Sequence, residues 1–221
     1  QASAAKIDRM ARFDSLTGLP NRQQINETLS KALEHSAQWK SRCAFMMIDL
    51  DRFKAVNDTL GHPVGDRLLE LVANRLRSIM TSNELCGRLG GDEFAVVIRD
   101  VPDTSYLDTL ANQIITSLSR PYEVDQQTLY IGASVGSATA PRDARTVETM
   151  IRSADLALYR SKDKGGNIHY AYEPGLHVQA EERRVIEIAL RKALERGEFT
   201  LNYQPVVTAN EGAIDGFEAL I

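Results

Sequence analysis

The stretch Arg88–Ile98, RLGGDEFAVVI, sets two glycines and two acids between apolar runs. ELCGRL (84–89) and EFAVVI (93–98) read as strands, so the glycines mark a tight hairpin turn, where positive φ or close backbone approach is required. The turn explains Gly90 and Gly91 but not Asp92 with Glu93. Acids at turn tips are ordinarily solvated, and a second acidic cluster shifts the reading away from that. AFMMIDL (44–50) has the character of a buried strand, and its C-terminal end carries Asp49 and, just beyond, Asp51. The two acids project to one side while the strand stays extended. Open sheets present ligand-binding groups at the ends of central strands, so Asp49 and Asp92 converge if this strand neighbours the hairpin. Two carboxylates helped by a backbone carbonyl suit Mg²⁺, which takes its remaining ligands from substrate phosphates and water. That is the arrangement of phosphoryl and nucleotidyl transfer.

Around these strands, apolar residues recur at helical steps: Ile25, Leu29, Leu33; Val64, Leu68, Val72, Leu76; Leu107, Leu110, Ile114, Leu118; Val147, Met150, Ala154, Leu158. Pro121 stops the third stripe and Gly165-Gly166 the fourth. LYIGASVGSATA (129–140) and IHYAY (168–172) add strand-like runs. The order helix, strand, helix, hairpin, helix, strand, helix, strand predicts an α/β fold, with a mixed, mainly antiparallel central sheet flanked by helices. A second unit begins near Pro174: a helical stripe over 178–197 stopped by Gly197, then FTLNYQPVV and IDGFEALI as strands. One helix and two strands cannot bury a core. The expected organisation is a linker helix over 1–13, suggested by Ile7, Met10 and Ala11, a domain over 14–173, and the incomplete start of another over 174–221.

Composition narrows the function. The 221 residues are 43% hydrophobic and 25% charged, as in folded domains. No run approaches the ~20 apolar residues of a membrane helix, and QASAAKIDRM lacks a signal-peptide core. The expectation is a cytoplasmic segment without membrane contact, compatible with an anchor upstream of Gln1. A net charge of −4 argues against nucleic acid as partner. Cys43 and Cys86 show no CxxC spacing and read as buried free thiols. His35, His62, His169 and His177 lack metal-ligand spacing, which argues against a zinc site.

RLGGDEFAVVI, FMMIDLDRFKAVNDTLGHPVGDRLL, DSLTGLPNR and ADLALYRSKDKGGN together resemble the GGDEF family of diguanylate cyclases and stand in that family's order, between Asp14 and Tyr172. The resemblance implies a nucleotide-cyclase, palm-like fold. It also implies a reaction in which two GTP, one per protomer of a homodimer, join into cyclic di-GMP with release of pyrophosphate, using two Mg²⁺ (or Mn²⁺) ions per active site. Asp49 and Asp92 match the family's metal-ligand acids, and the Leu50 carbonyl matches a further ligand. Glu93 matches the acid beside the ribose and metal site, where a base for the 3′-hydroxyl is placed. Asn57 and Asp66 match the pair that reads guanine, a carboxylate being able to accept from N1 and N2. Lys162 matches a phosphate contact, and the amides of Arg52 and Phe53 match the loop that cradles phosphates, beside Gly90 and Gly91 of the signature. The bland alternatives are that Asn57 and Asp66 cap the helix bearing Leu68 and Val72, and that Lys162 is one more solvated lysine. Asp51 stays outside the metal shell.

Two features depart from the family pattern. Gly166 stands where an arginine usually follows the phosphate lysine, leaving Lys164 or Arg160 as substitutes; a lost charge-assisted bond costs about 1.5 to 3 kcal/mol. Thr81 and Glu84 stand where the family's R-x-x-D product-inhibition motif lies, so feedback by that route is not expected. LNYQPVV followed by GFEALI resembles the opening of the EAL family, cyclic di-GMP phosphodiesterases on a TIM-type barrel. Glu218 matches its first metal ligand and Gln204 a residue near its substrate. The other acids would lie beyond Ile221, so this segment does not hydrolyse by that route. The expected function is a diguanylate cyclase within a GGDEF–EAL signalling protein. The alternative is a catalytically weak or inactive GTP-binding module that controls the attached EAL phosphodiesterase, favoured by the tandem arrangement and Gly166 and opposed by the intact acids.

Overall fold

Cys43–Asp51 form β1, the middle strand of a five-stranded sheet ordered β2 (Glu84–Gly90), β3 (Glu93–Ile98), β1, β6 (Gly132–Ala140), β7 (His169–Ala171). The computed structural model describes residues 11–103, 105–208 and 213–220, with side chains outside 179–184. β1 pairs antiparallel with β3 and β6, and only β6–β7 is parallel. The mixed, mainly antiparallel sheet expected from the sequence is therefore what forms.

Because β1 is covered on both faces, it is apolar almost throughout. Ala44, Met46, Ile48 and Leu50 enter a core with α3 (His62–Ile79) and α4 (Tyr106–Leu118). Cys43, Phe45 and Met47 enter the other core, with α1 (Arg22–Trp39) and α5 (Val147–Asp163). Asp49 and Asp51 continue this second row. Both flanking helices are capped: Asn21 accepts from the Gln24 N–H at 3.1 Å, and Thr146 with Thr149 forms a capping box. At Gly136 on β6, a Cβ would lie 2.1 Å from the Leu158 nitrogen and 2.3 Å from the Ala154 carbonyl oxygen. Only glycine lets α5 lie this close, and one turn further on the helix delivers Lys162 to the acidic strand end.

Two elements escape the sequence reading. The eight-residue α2 (Phe53–Leu60) follows β1 and stops at Gly61, φ 85°. A small hairpin, β4 (Tyr122–Val124) with β5 (Gln127–Leu129), splits the run expected to be one strand over 129–140. Its turn uses Asp125 and Gln126, both at positive φ (50° and 64°), without the glycine that would advertise it. Cys43 and Cys86 are free and buried as expected, and burial pushes the Cys86 thiol up to about 11.

At the sheet edge, His169 Nε2 lies 2.8 Å from Ser137 Oγ and Nδ1 lies 2.9 Å from an Asp108 carboxylate oxygen. The serine is only 1% exposed, so the chain of contacts gives no substrate a path to a nucleophile and instead ties β7 to β6 and α4. Burial holds the His169 pKa below its ordinary 6.5, outweighing the Asp108 carboxylate. A histidine whose folded pKa is depressed takes up its proton more readily unfolded, so its contribution is full above about pH 6.5 and is lost as pH falls below that. Melting curves should show stability declining from about pH 7 to about pH 5, with His169→Gln flattening part of the decline. An unchanged slope in that variant would contradict the assignment.

The first compact unit runs to Leu176, and the second is His177–Ile221, where the sequence suggests a division after residue 173. α6 (Gly175–Glu195) leads into β8 (Asn202–Val207) and β9 (Ile214–Leu220), an antiparallel pair with Gln204 opposite Glu218. Tyr203, Val206, Ile214 and Phe217 are exposed, so this hairpin buries no core of its own. The linker helix expected over 1–13 falls mostly outside the described residues. Among those described, no helix is long and apolar enough to cross a membrane.

Candidate active site

β1 and β3 pair in the register that sets Asp49 opposite Glu93, and the Leu50 N–H donates to the Asp92 carbonyl at 3.3 Å. Opposed residues of a ladder share a face, so both acids emerge on the α1/α5 side, with Asp92 beside them at the hairpin tip. The turn sits one residue later than the sequence suggests: Gly90 pairs with Glu93 inside the ladder, and Gly91–Asp92 form the loop. Gly90 (φ 143°) and Gly91 (φ 50°) hold conformations that favour glycine.

Arg88 fastens this tip. Its Nε and Nη2 donate to the Gly91 carbonyl at 3.0 and 2.8 Å, and its Nη1 donates to both Asp14 carboxylate oxygens at 3.1 and 3.2 Å. Asp14 also accepts from the Thr17 N–H at 2.8 Å and hydroxyl at 2.7 Å. Burial works to raise the Asp14 pKa, but the bonds from Thr17 and Arg88 outweigh it and hold the carboxyl below its ordinary value. DSLT and RLGG are thus one structural unit, a link that sequence spacing does not reveal.

One cation stands against each strand acid. Lys162 Nζ lies 2.6 Å from Asp49 Oδ2, and Arg22 Nη2 lies 3.7 Å from Glu93 Oε2 while donating to the Leu89 carbonyl at 3.3 Å. Lys162 is therefore placed at the acids, against the bland reading, and Arg22 joins the site although the sequence reading passed over it. Burial pushes the Asp49 pKa up; Lys162 opposes this, and the charges of Asp92 and Asp51 add to it. Such a carboxylate gains from added positive charge. Among the described residues no three or more metal-ligating side chains gather. A set of Asp49 and Asp92 with the Leu50 carbonyl is the smaller kind that Mg²⁺ accepts, since it usually keeps only one or two protein carboxylates.

Asp51 turns to a different task. It accepts from Ser134 Oγ at 2.8 Å and from the Asn167 N–H at 2.8 Å, while Asn167 Oδ1 accepts from Ser119 Oγ at 2.8 Å. Its carboxylate anchors the loop after α5. Gly166 in that loop has φ 75°, and a Cβ there would meet the Asp51 carboxylate at 3.0 Å. Of the two cations expected to substitute for an arginine at this place, Arg160 is held by Asp163 at 3.1 Å, which leaves Lys164.

α2 and α3 fold back on each other at Gly61, bringing Asn57 against Gly65, where a Cβ would lie 1.9 Å from Asn57 Oδ1. That oxygen is buried without a hydrogen-bond partner, and Asp66 is exposed one position beyond the glycine. Neither residue caps a helix: the N-cap of α3 is Gly61, with no side-chain cap bond. The capping alternative is thereby removed. An orphaned buried acceptor is costly, and a ligand donor is the partner its position suits. At the start of α2, Arg52 sits at φ 68° with no side-chain cap bond, so no side chain of the N-cap satisfies the first N–H groups of the helix. Away from this edge, Glu84 is 5% exposed and accepts from the Thr81 N–H at 2.8 Å, from the Thr81 hydroxyl at 2.6 Å and from Tyr106. The carboxylate is consumed within the fold.

Residues 11–168 match the family described as diguanylate cyclase, GGDEF domain, and the chain belongs to that family. MucR of Pseudomonas aeruginosa, a bifunctional diguanylate cyclase/cyclic di-GMP phosphodiesterase, is 39% identical over 218 residues, 98% of this chain and 31% of MucR. The chain thus spans less than a third of the length of such relatives. The solved GGDEF domain of TpbB (YfiN) from Pseudomonas aeruginosa matches with a TM-score of 0.74 at 34% identity, covering 76% of this chain and 99% of that one. The coiled coil and GGDEF domain of DgcB from Caulobacter crescentus, solved in complex with c-di-GMP, matches with a TM-score of 0.71 at 27% identity, covering 77% and 90%.

Proposed function

We propose that the first unit is a diguanylate cyclase that condenses two GTP into cyclic di-GMP with release of two pyrophosphates, as a homodimer with one GTP per protomer. The observation that carries the reading is the meeting of Asp49, Asp92 and Glu93 at one strand end with Lys162 at 2.6 Å from Asp49. Asp49, Asp92 and the Leu50 carbonyl would hold Mg²⁺ (or Mn²⁺), which would supply neutralising charge for the α-phosphate and the departing pyrophosphate. Lys162 exchanges Asp49 for phosphate oxygens, and the amides of Arg52 and Phe53, where α2 begins, hold the triphosphate. Asn57 Oδ1 and the Asp66 carboxylate accept from guanine. Glu93, with Arg22 Nη2 at 3.7 Å, takes the proton of a 3′-hydroxyl. The new bond joins that oxygen to the α-phosphorus of the partner's GTP, the bond to the bridging oxygen breaks, and pyrophosphate carries away the electron pair. Catalysis is positioning and charge stabilisation. Glu84 is already satisfied by Thr81 and Tyr106, which supports an enzyme without product inhibition at that place.

The second unit is read as the opening of an EAL phosphodiesterase domain, with Glu218 and Gln204 adjacent across β8–β9. MucR, named for both activities, aligns over 98% of the chain, whereas the isolated GGDEF domain of TpbB covers 76%. A GTP-binding regulatory module is the second reading, favoured by Gly166, which leaves the triphosphate one cation short.

Calorimetry with GTP and ATP in Mg²⁺ tests recognition. GTP should bind at least about tenfold more tightly, and Asp66→Ala should erase the difference, since a hydrogen bond to a charged group contributes about 1.5 to 3 kcal/mol. Equal affinities in the unaltered protein would contradict the guanine assignment.

A further inference from the structure

At the other end of β1, a cavity of about 540 Å³ opens between the last turns of α1 and the loop from β6 to α5. We propose that it binds a small amphipathic anion: a hydrocarbon body carrying a single carboxylate, sulfonate or phosphate. Small-molecule sites are typically ~300–1,000 Å³, mostly apolar, with a few placed polar groups. Here Leu33 and Ala37 form one wall, and Ala140, Pro141 and Ala144 form the other. The charged residues of the lining are Lys40, Arg42 and Arg145, and no carboxylate is among them.

On a chain of net charge −4, three cations without an acid are a local reversal of the average. Of the neighbouring acids, Asp103 lies close enough to act on Arg42 by charge, which leaves Lys40 and Arg145 as the cations without a carboxylate in the lining. Asp143 holds Arg142 at 2.7 Å and the Thr139 N–H at 2.7 Å, and Asp103 holds the Ser105 and Tyr106 N–H groups at 2.8 and 2.9 Å. Arg42 donates to the Pro102 carbonyl at 3.1 Å, which uses only part of its fork. Ser41, also in the lining, has a buried Oγ without a hydrogen-bond partner.

The lining contains no aromatic ring on which a base would stack and few groups able to read a base edge, so a nucleotide does not fit its chemistry. Six residues of extended strand, about 20 Å, separate Cys43 from Asp49, so occupancy here leaves the acidic edge free. The proposal does not depend on the cyclase reading.

The test is calorimetric titration of the whole chain with decanoate, with decanol as the uncharged control. Decanoate should bind saturably at one site, more tightly than decanol. Lys40→Ala with Arg145→Ala should weaken it at least about tenfold, and Ala37→Phe, a substitution at an exposed helical position that fills the cavity, should abolish it without lowering the melting temperature. No saturable binding, equal affinity for decanol, unaltered binding in the doubly substituted protein, or association only with vesicles of anionic lipid would overturn the proposal.

Discussion

Asp92→Asn should lower cyclase turnover by about 10³-fold or more, the scale expected when a preorganised charge at a phosphoryl-transfer site is removed, while leaving the fold intact. The amide keeps the size and hydrogen bonding of the tip but not the charge required by a divalent ion. Stability without ligand should hold level or rise, because the Asp92 charge helps push up the pKa of the half-buried Asp49. A turn acid of purely structural importance would behave oppositely, losing melting temperature and keeping turnover. The paired measurement is a metal-free melting curve and product formed per folded molecule. Near-normal turnover with a lowered melting temperature would overturn the assignment.

Arg88→Ala should be the most damaging change outside the acids. Its side chain and that of Asp14 are only 12% and 21% exposed, so truncation leaves a half-buried carboxylate with Thr17 alone, at a cost of about 2 to 3 kcal/mol. It also releases the Gly91 carbonyl beside Asp92, and a shift of about 1 Å in a reacting group can cost about a hundredfold in rate. Arg88→Lys should rescue little, since a single ammonium cannot span both the Asp14 carboxylate and the Gly91 carbonyl. Denaturant titration and turnover per folded molecule measure the two effects separately. Normal turnover in the folded fraction would confine Arg88 to stability.

Much of the frame was legible because burial writes itself into periodicity. β1 is apolar on both faces, and α1, α3, α4 and α5 show clear stripes, so sheet and helices follow from the pattern. The convergence of Asp49 with the hairpin acids was inferable once the strands were taken as neighbours. The clamp from Arg88 to Asp14 was not: it joins residues far apart in sequence through a side-chain fork, and no local rule encodes the pairing. Arg22 was missed for the same reason. α2 escaped because eight residues give too few turns for a stripe, and the β4–β5 hairpin because Asp125 and Gln126 adopt positive φ without glycine. Asn57 needed the structure most. Sequence left it open between helix cap and guanine reader, and the unpartnered oxygen packed against Gly65 shows that it is not a cap.

The most direct test of the central claim is to incubate the chain at high concentration with GTP and Mg²⁺ and to quantify nucleotides and pyrophosphate together by chromatography and a coupled assay. The cyclase reading predicts cyclic di-GMP with two GTP consumed and two pyrophosphates released per product, at a specific rate that rises with protein concentration as protomers pair. GTP bound in a guanine-selective manner yet recovered unchanged at every protein concentration would contradict it and establish the regulatory module instead.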